Sequence, residues 1–148
     1  MKDPITIRNA VPGDLDAIIA IDDVGPKEEK PAYWRGIFER YGTGEGKHRI
    51  FLVAEAAGEV VGFITGEVRA WEFGSAPCGW VFALAVAPEA RESGIAKKMF
   101  EEICGRLKDA GVTTVRTMVN RGNKVTLSFF RSQGMRTGRY IELEREIE

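Results

Sequence analysis

Residues 81–110 read VFALAVAPEARESGIAKKMFEEICGRLKDA, and the fold is decided here. The run 81–87 is almost wholly apolar, which suits a strand buried on both faces; a run this short does not by itself exclude a buried helix. Pro88 cannot donate to a ladder and stops the run. After the link PEARES a helical period begins. Ile95, Met99, Ile103 and Leu107 recur every four residues, with Ala96, Phe100 and Cys104 beside them. Lys97, Lys98, Glu101, Glu102, Arg106, Lys108 and Asp109 fall elsewhere, so the predicted helix is amphipathic. Gly111 suits the left-handed residue that ends a helix.

The link has its own chemistry. Arg91, Lys97 and Lys98 crowd the start of the helix, and no acid lies between Ser93 and Lys98. Cations at the positive end of a helix dipole cost roughly 0.3–1 kcal/mol each when exposed. A local rule broken at one spot often marks a functional site. Free backbone N–H groups, the dipole and three cations together suit a phosphate or pyrophosphate. Gly94 and Ala96 leave room for an anion to approach the backbone. The bland alternative is a helix whose basic residues merely face solvent.

The hexapeptide Arg91-Glu92-Ser93-Gly94-Ile95-Ala96 resembles the (Gln/Arg)-x-x-Gly-x-(Gly/Ala) motif of the GNAT acetyltransferases, and it follows an apolar strand as that motif does. A second segment begins at Asn123 and runs through Phe130 to Gly134 and Met135. It resembles the family's Asn-x-x-Ala-x-x-Leu-Tyr-x-x-x-Gly-Phe. The resemblance covers roughly residues 51–135. It implies an α/β fold with a mixed, mostly antiparallel sheet and helices on both faces, as one domain over residues 1–148. It implies that the N–H groups around Arg91, Glu92, Ser93, Gly94, Ile95, Ala96 and Lys97 hold the pyrophosphate of acetyl-CoA. The backbone of Leu84, Ala85 and Val86 would then pair with the pantetheine arm, as would Asn123, with Phe130 against it. Asn123 is also a favoured helix N-cap, and both roles can hold at once.

Composition sets the outer bounds. The 148 residues suit one domain with a sizeable core. Hydrophobic content of 44% and charged content of 29% are ordinary. A net charge of −1 gives no reason to expect nucleic acid or an anionic membrane as partner. No apolar run nears the roughly 20 residues that span a bilayer, and the start MKDPITIRNA lacks a signal-peptide core. Cytoplasm is the simplest expectation. Cys78 and Cys104 make no disulfide framework, and His48, the single histidine, gives no metal cluster. A homodimer is compatible with the sequence and not fixed by it.

Along the chain, residues 5–8 alternate as a first strand, and Pro12-Gly13-Asp14 turns into a helix carrying Leu15, Ile18 and Ile19. Residues 24–31 read as a polar loop. Tyr33, Trp34, Ile37, Phe38 and Tyr41 mark a second helix whose aromatic face packs on the sheet or lines an acceptor pocket. Residues 42–46 form a glycine-rich connector without the spacing of a dinucleotide site. Residues 50–56 and 60–69 read as a hairpin. Residues 112–119 are expected as a strand, 125–131 as a short helix, and the alternating 139–147 as a terminal strand.

Two positions depart from the family pattern. Phe130 stands where the family's tyrosine protonates the leaving thiolate, and Trp80 stands where many relatives carry a glutamate. The chemistry still needs a base, because an amine is protonated near neutral pH. It needs a donor for charge on the thioester oxygen, such as a backbone N–H near Leu84 or Val86. A thiol of pKa ~8.5 can leave with a proton from water. Glu67 and Glu72 are the base candidates, with Glu142 behind them; Ser128 or Tyr140 could supply a proton. The expected activity is acetyl transfer from acetyl-CoA to a primary amine, of a small molecule or of a protein lysine or N-terminus, by direct attack in a ternary complex. The alternative is a non-catalytic acyl-CoA-binding regulatory module, favoured by Phe130 and Trp80. A plain interaction domain is a third reading.

Overall fold

The decisive stretch opens within a strand, Cys78–Val86. This strand is β4 of a five-stranded sheet in the order β1-β2-β3-β4-β5. The computed structural model describes residues 4–22, 30–42 and 48–147. The other strands are β1 (Ile5–Asn9), β2 (Arg49–Ala56), β3 (Glu59–Arg69) and β5 (Val115–Arg116). β1 to β4 pair antiparallel, and β4 pairs parallel with β5, so the sheet is mixed and mostly antiparallel as expected. The hairpin of β2 and β3 turns through Ala57 and Gly58, both at positive φ. The helices are α1 (Leu15–Ile21), α2 (Lys30–Tyr41), α3 (Ile95–Asp109) and α4 (Lys124–Ser132). The chain divides into two compact units, Met1–Thr117 and Met118–Glu148.

Alternation along the strands gives the sheet of the first unit two apolar faces. Phe51, Val53 and Phe63 share one face and meet Ile18 and Ile21 of α1 and Trp34 and Ile37 of α2. Trp34 is 2% exposed, and its ring lies 4.8 Å from that of Phe63, edge to face. Its buried indole N–H is satisfied by Asp22 Oδ2 at 2.7 Å. The bland reading of the α2 aromatic face therefore holds for Trp34.

The opposite face carries glycines where a helix must come close. A Cβ built on Gly62 would sit 2.9 Å from Met99, one on Gly66 3.1 Å from Ile103, and one on Gly79 2.6 Å from Leu107. Met99, Ile103 and Leu107 are the four-residue period of the opening stretch, and all are at most 2% exposed. Each successive turn of α3 thus rests on one glycine. At its far end, Arg106 Nη1 donates to Asn9 Oδ1 at 2.6 Å, tying α3 to the end of β1.

Several expected boundaries move. The helix expected from Tyr33 starts at Lys30, with Pro31 in its first turn, where the missing N–H of proline has no intrahelical partner to lose. The strand expected over 112–119 shrinks to Val115–Arg116. The terminal strand expected over 139–147 does not form a ladder; Ile141, Leu143 and Ile147 are 79%, 83% and 88% exposed. Alternation favours extended backbone but does not supply a partner edge. Residues 43–46 of the glycine-rich connector and most of the polar loop 24–31 lie outside the described residues. Among the described residues, no helix is long and apolar enough to cross a membrane.

Gly66 tests the close approach. Its Cβ would also lie 2.7 Å from the Trp80 carbonyl oxygen, a backbone atom that cannot swing away. Gly66→Ala is expected to lose about 1–3 kcal/mol in chemical denaturation. Gly36→Ala, inside α2 with nothing within 4 Å of its Cβ, is expected to gain about 0.5–1 kcal/mol.

Candidate active site

The ladder between β3 and β4 slips at one point. Thr65 opposes Ala83 while Gly66 opposes Val81, so Phe82 is an extra residue in β4. This is a β-bulge, and bulges bend a strand and re-aim its side chains. Past it, Ala87 N–H donates to Val61 O at 2.8 Å, so alternation turns Leu84 and Val86 toward the other edge. On that edge β5 reaches only Gly79 and Trp80. Thr117 Oγ1 donates to Val81 O at 2.8 Å, and Arg91 Nε donates to Val86 O at 3.1 Å. Between these two side chains, the Leu84 backbone faces an edge with no strand on it among the described residues.

β4 then runs into the loop. A turn at Pro88–Ala90 leads to Arg91, and Ser93 Oγ donates to the Ala90 carbonyl. Glu92 has φ 64° and Gly94 φ 83°, two left-handed residues in a three-residue span. For glutamate that conformation is unfavourable, and such strain persists only where surroundings impose it. Gly94 is the N-cap of α3, and the first helical bond of the ladder is Lys98 N–H to Gly94 O at 3.1 Å. The N–H groups of Ile95, Ala96 and Lys97 come before it and have no helical acceptor. No acid stands in the first turn, and a Cβ at Gly94 would meet nothing within 4 Å. The Lys97 ammonium is exposed, 3.9 Å from Glu101. Ile95, 3% exposed, contributes its backbone only, because its side chain belongs to the core. Open space, free donors and the absence of acid fit the anionic pyrophosphate of acyl-CoA.

The other half of the site lies on the sheet face that carries α1 and α2. Register sets Arg49, Glu67 and Trp80 side by side across β2, β3 and β4. Glu67 keeps 19% of its side chain exposed, and Arg69 Nε lies 3.5 Å from its Oε2. The Arg69 guanidinium also lies over the Trp80 ring, 5.2 Å from the centroid. Tyr41, the last residue of α2, packs edge-on against Phe82 at 5.2 Å. Its hydroxyl lies close enough to the Glu67 carboxylate to feel its charge. Burial first, then the Glu67 carboxylate, push that hydroxyl above its ordinary value, against the smaller pull of Arg49 and Arg40. Tyr41 therefore stays protonated at neutral pH, with a proton to offer the carboxylate.

Of the two candidate bases, Glu67 lies beside the bulge. Glu72 is exposed in the turn after β3, between Trp71 and Phe73, which both have positive φ. In the second unit, Asn123 caps α4: its Oδ1 accepts from Thr126 N–H at 3.1 Å. Phe130 is 5% exposed and packs against Phe129. Cys78 is buried, with Arg116 Nη1 donating to its Sγ at 3.1 Å. Burial and Glu101 raise the Cys104 thiol above its ordinary value, so it is a poor nucleophile. The sequence reading passed over Arg49, Arg69 and the hydroxyl of Tyr41. Only the register of three strands brings them together, and no local spacing encodes that.

Comparison with known proteins accords with this geometry. The sequence pattern of the Acetyltransferase (GNAT) family matches residues 15–135. This chain belongs to that family. It is 27% identical, over 93% of its length, to a mycothiol acetyltransferase of Saccharomonospora viridis, and covers 47% of that relative. It thus spans about half the length of that relative. Among solved structures it superimposes on the aminoglycoside N-acetyltransferase AAC(6')-Iy in complex with CoA. That match has a TM-score of 0.77 at 16% identity and covers 99% of this chain and 97% of the other. A transcriptional regulator from Bacillus halodurans gives a TM-score of 0.77 at 22% identity, covering 97% and 100%. Likeness at these identities is one of fold.

The coupling of Tyr41 to Glu67 is measurable. Ring NMR of Tyr41 should titrate above the ordinary 10 for a tyrosine, and Glu67→Gln should bring it down, because a negative neighbour is removed. An unchanged titration in Glu67→Gln would remove the Tyr41–Glu67 coupling from the account.

Proposed function

We propose that this protein transfers an acetyl group from acetyl-CoA to a primary amine, with the two bound together and the amine attacking directly. The observation that carries this reading is the Phe82 bulge, which frees the β4 edge beside the half-buried carboxylate of Glu67. The family match spans both compact units, which supports reading residues 1–148 as one functional domain. A cytoplasmic location, with acetyl-CoA and an amine as partners, goes with this reading.

In this reading the residues divide the work. The N–H groups at the start of α3, with Arg91 and Lys97, hold the pyrophosphate. The Leu84 to Val86 edge pairs with the amide groups of the pantetheine arm, as an added strand would. Asn123, whose side-chain carbonyl caps α4, and Phe130 are assigned to the arm by the family motif alone. Bound acetyl-CoA supplies the acetyl thioester. The Leu84 N–H is the available donor for negative charge that grows on the acyl oxygen. Glu67 accepts the proton of the acceptor ammonium, directly or through one water. Tyr41 and Arg69 hold the Glu67 carboxylate in place. The position of the family glutamate is Trp80, and its cross-strand neighbour is Glu67, so the carboxylate comes from the adjacent strand. Glu72 is a second, exposed candidate for the base.

Three measurements test this. Wild type incubated with acetyl-CoA and a panel of primary amines should release free thiol well above hydrolysis. Glu67→Gln should cut turnover ~10²–10⁴-fold with CoA affinity nearly unchanged, and Glu72→Gln should have little effect. Turnover unaffected by Glu67→Gln would move the base elsewhere or to solvent. Gly94→Asp should abolish CoA binding by calorimetry, because a carboxylate would stand in the anion's space; the space is open but φ is 83°, so circular dichroism must confirm folding. CoA bound without thiol release from any amine would favour the regulatory reading, for which Phe130 is the supporting feature.

A further inference from the structure

The face that carries Glu67 is not balanced in charge. Arg49 is the cross-strand neighbour of Glu67, and Arg69 lies two residues along the same strand and face. Arg40 comes from α2, and Arg49 Nη1 donates to its carbonyl at 3.4 Å. The guanidinium groups of Arg49 and Arg40 lie 5.3 and 5.9 Å from the centre of the Tyr41 ring. Arg69 lies over Trp80 and pairs with Glu67. Among the described residues, neither Arg49 nor Arg40 has a carboxylate within ion-pair distance. Among the described residues, Arg49 and Arg69 therefore flank one carboxylate that Arg69 already engages, and Arg40 lies against the neighbouring Tyr41 ring.

This pattern constrains what can sit there. A polycationic amine would bring several positive charges against three arginines, and like charges at close range are unfavourable. An amine that also carries an anion has a place for both ends. Its ammonium meets Glu67, and its anion meets a guanidinium. Arg49 is the best placed for the second role, because it is exposed and, among the described residues, is not paired with an acid. A guanidinium stacked on an aromatic ring keeps its N–H edge free, and that edge binds carboxylate or phosphate in a bidentate way.

We propose that the acceptor is a small amine bearing its own anionic group, with Arg49 as the residue that binds the anion. The proposal rests on the reading of Glu67 as the acceptor site. The shared chemistry is an ammonium and an anion on one small molecule; a carboxylate and a phosphate are its two sources.

The test uses the full chain with acetyl-CoA and matched amines. L-Alanine is compared with L-alaninamide, O-phosphoethanolamine with ethanolamine, and spermidine serves as the polycation. At least one anion-bearing member should exceed its partner without the anion in kcat/KM by about 10-fold or more, and the favoured pair identifies the anion. Arg49→Gln should narrow that ratio toward one with CoA affinity unchanged, and Arg49→Lys should retain part of it. Transfer without preference for the anion, or a preference for spermidine, would overturn the proposal while leaving acetyl transfer intact. Binding of the same amines to the CoA-bound protein, read by NMR, separates the two failures. Anion-selective binding that Arg49→Gln abolishes, without turnover, would support the anion site and overturn the catalytic reading. Binding without that selectivity would overturn the anion site directly.

Discussion

The packing of α3 onto bare backbone is the constraint on which the rest depends. Side chains normally hold a helix off a sheet, and glycine has none to do so. Here Gly62, Gly66 and Gly79 remove the side chain under each of Met99, Ile103 and Leu107. The helix sits low on β3 and β4, which directs its N-terminus to the end of β4. The loop between Val86 and Ile95 must close that short distance, and it does so with Glu92 and Gly94 in left-handed conformations. The strain at Glu92 is thus a consequence of where the helix starts, and the helix starts where the glycines let it lie.

The bulge at Phe82 belongs to the same set of constraints. Gly66, opposite Val81 at the slip, has no room for a side chain against the Trp80 carbonyl. The slip turns Phe82 toward Tyr41 on one face. Past it, β4 stays paired with β3 on one side, and on the other side no strand lies beside it among the described residues. Thr117 and Arg91 reach that edge with side chains, and both donate to carbonyl oxygens. A free edge is normally a liability that invites unwanted pairing. Next to a helix start without acid, it reads instead as a place for an extended, amide-bearing ligand.

What the sequence disclosed follows from the range of the signals. The α3 period, the loop motif, the apolar run of β4 and the Asn123 cap are all local; the period and the run are legible from spacing, and the loop motif and the Asn123 segment from their resemblance to the family pattern. The class of fold came from their order. The site beside the bulge was only partly legible. Glu67 stood out as an acid near the end of a hairpin strand, but its neighbours did not. Arg49 lies 18 positions away in the chain and Tyr41 26 away, and they join Glu67 through register and through the end of α2. The expected terminal strand over 139–147 failed for the converse reason. Its alternation is local and real, yet pairing depends on an edge that alternation does not specify.

The central claim is that the carboxylate missing at Trp80 is supplied by Glu67 from the adjacent strand. The most direct measurement moves it back. Single-turnover thiol release is recorded for Glu67→Gln and for the double variant Glu67→Gln/Trp80→Glu, each with acetyl-CoA saturating and a competent amine present. The account predicts that the second substitution recovers a substantial part of the rate lost in the first, because the two positions are direct cross-strand neighbours on one face. A folded, CoA-binding double variant as slow as Glu67→Gln alone would contradict it.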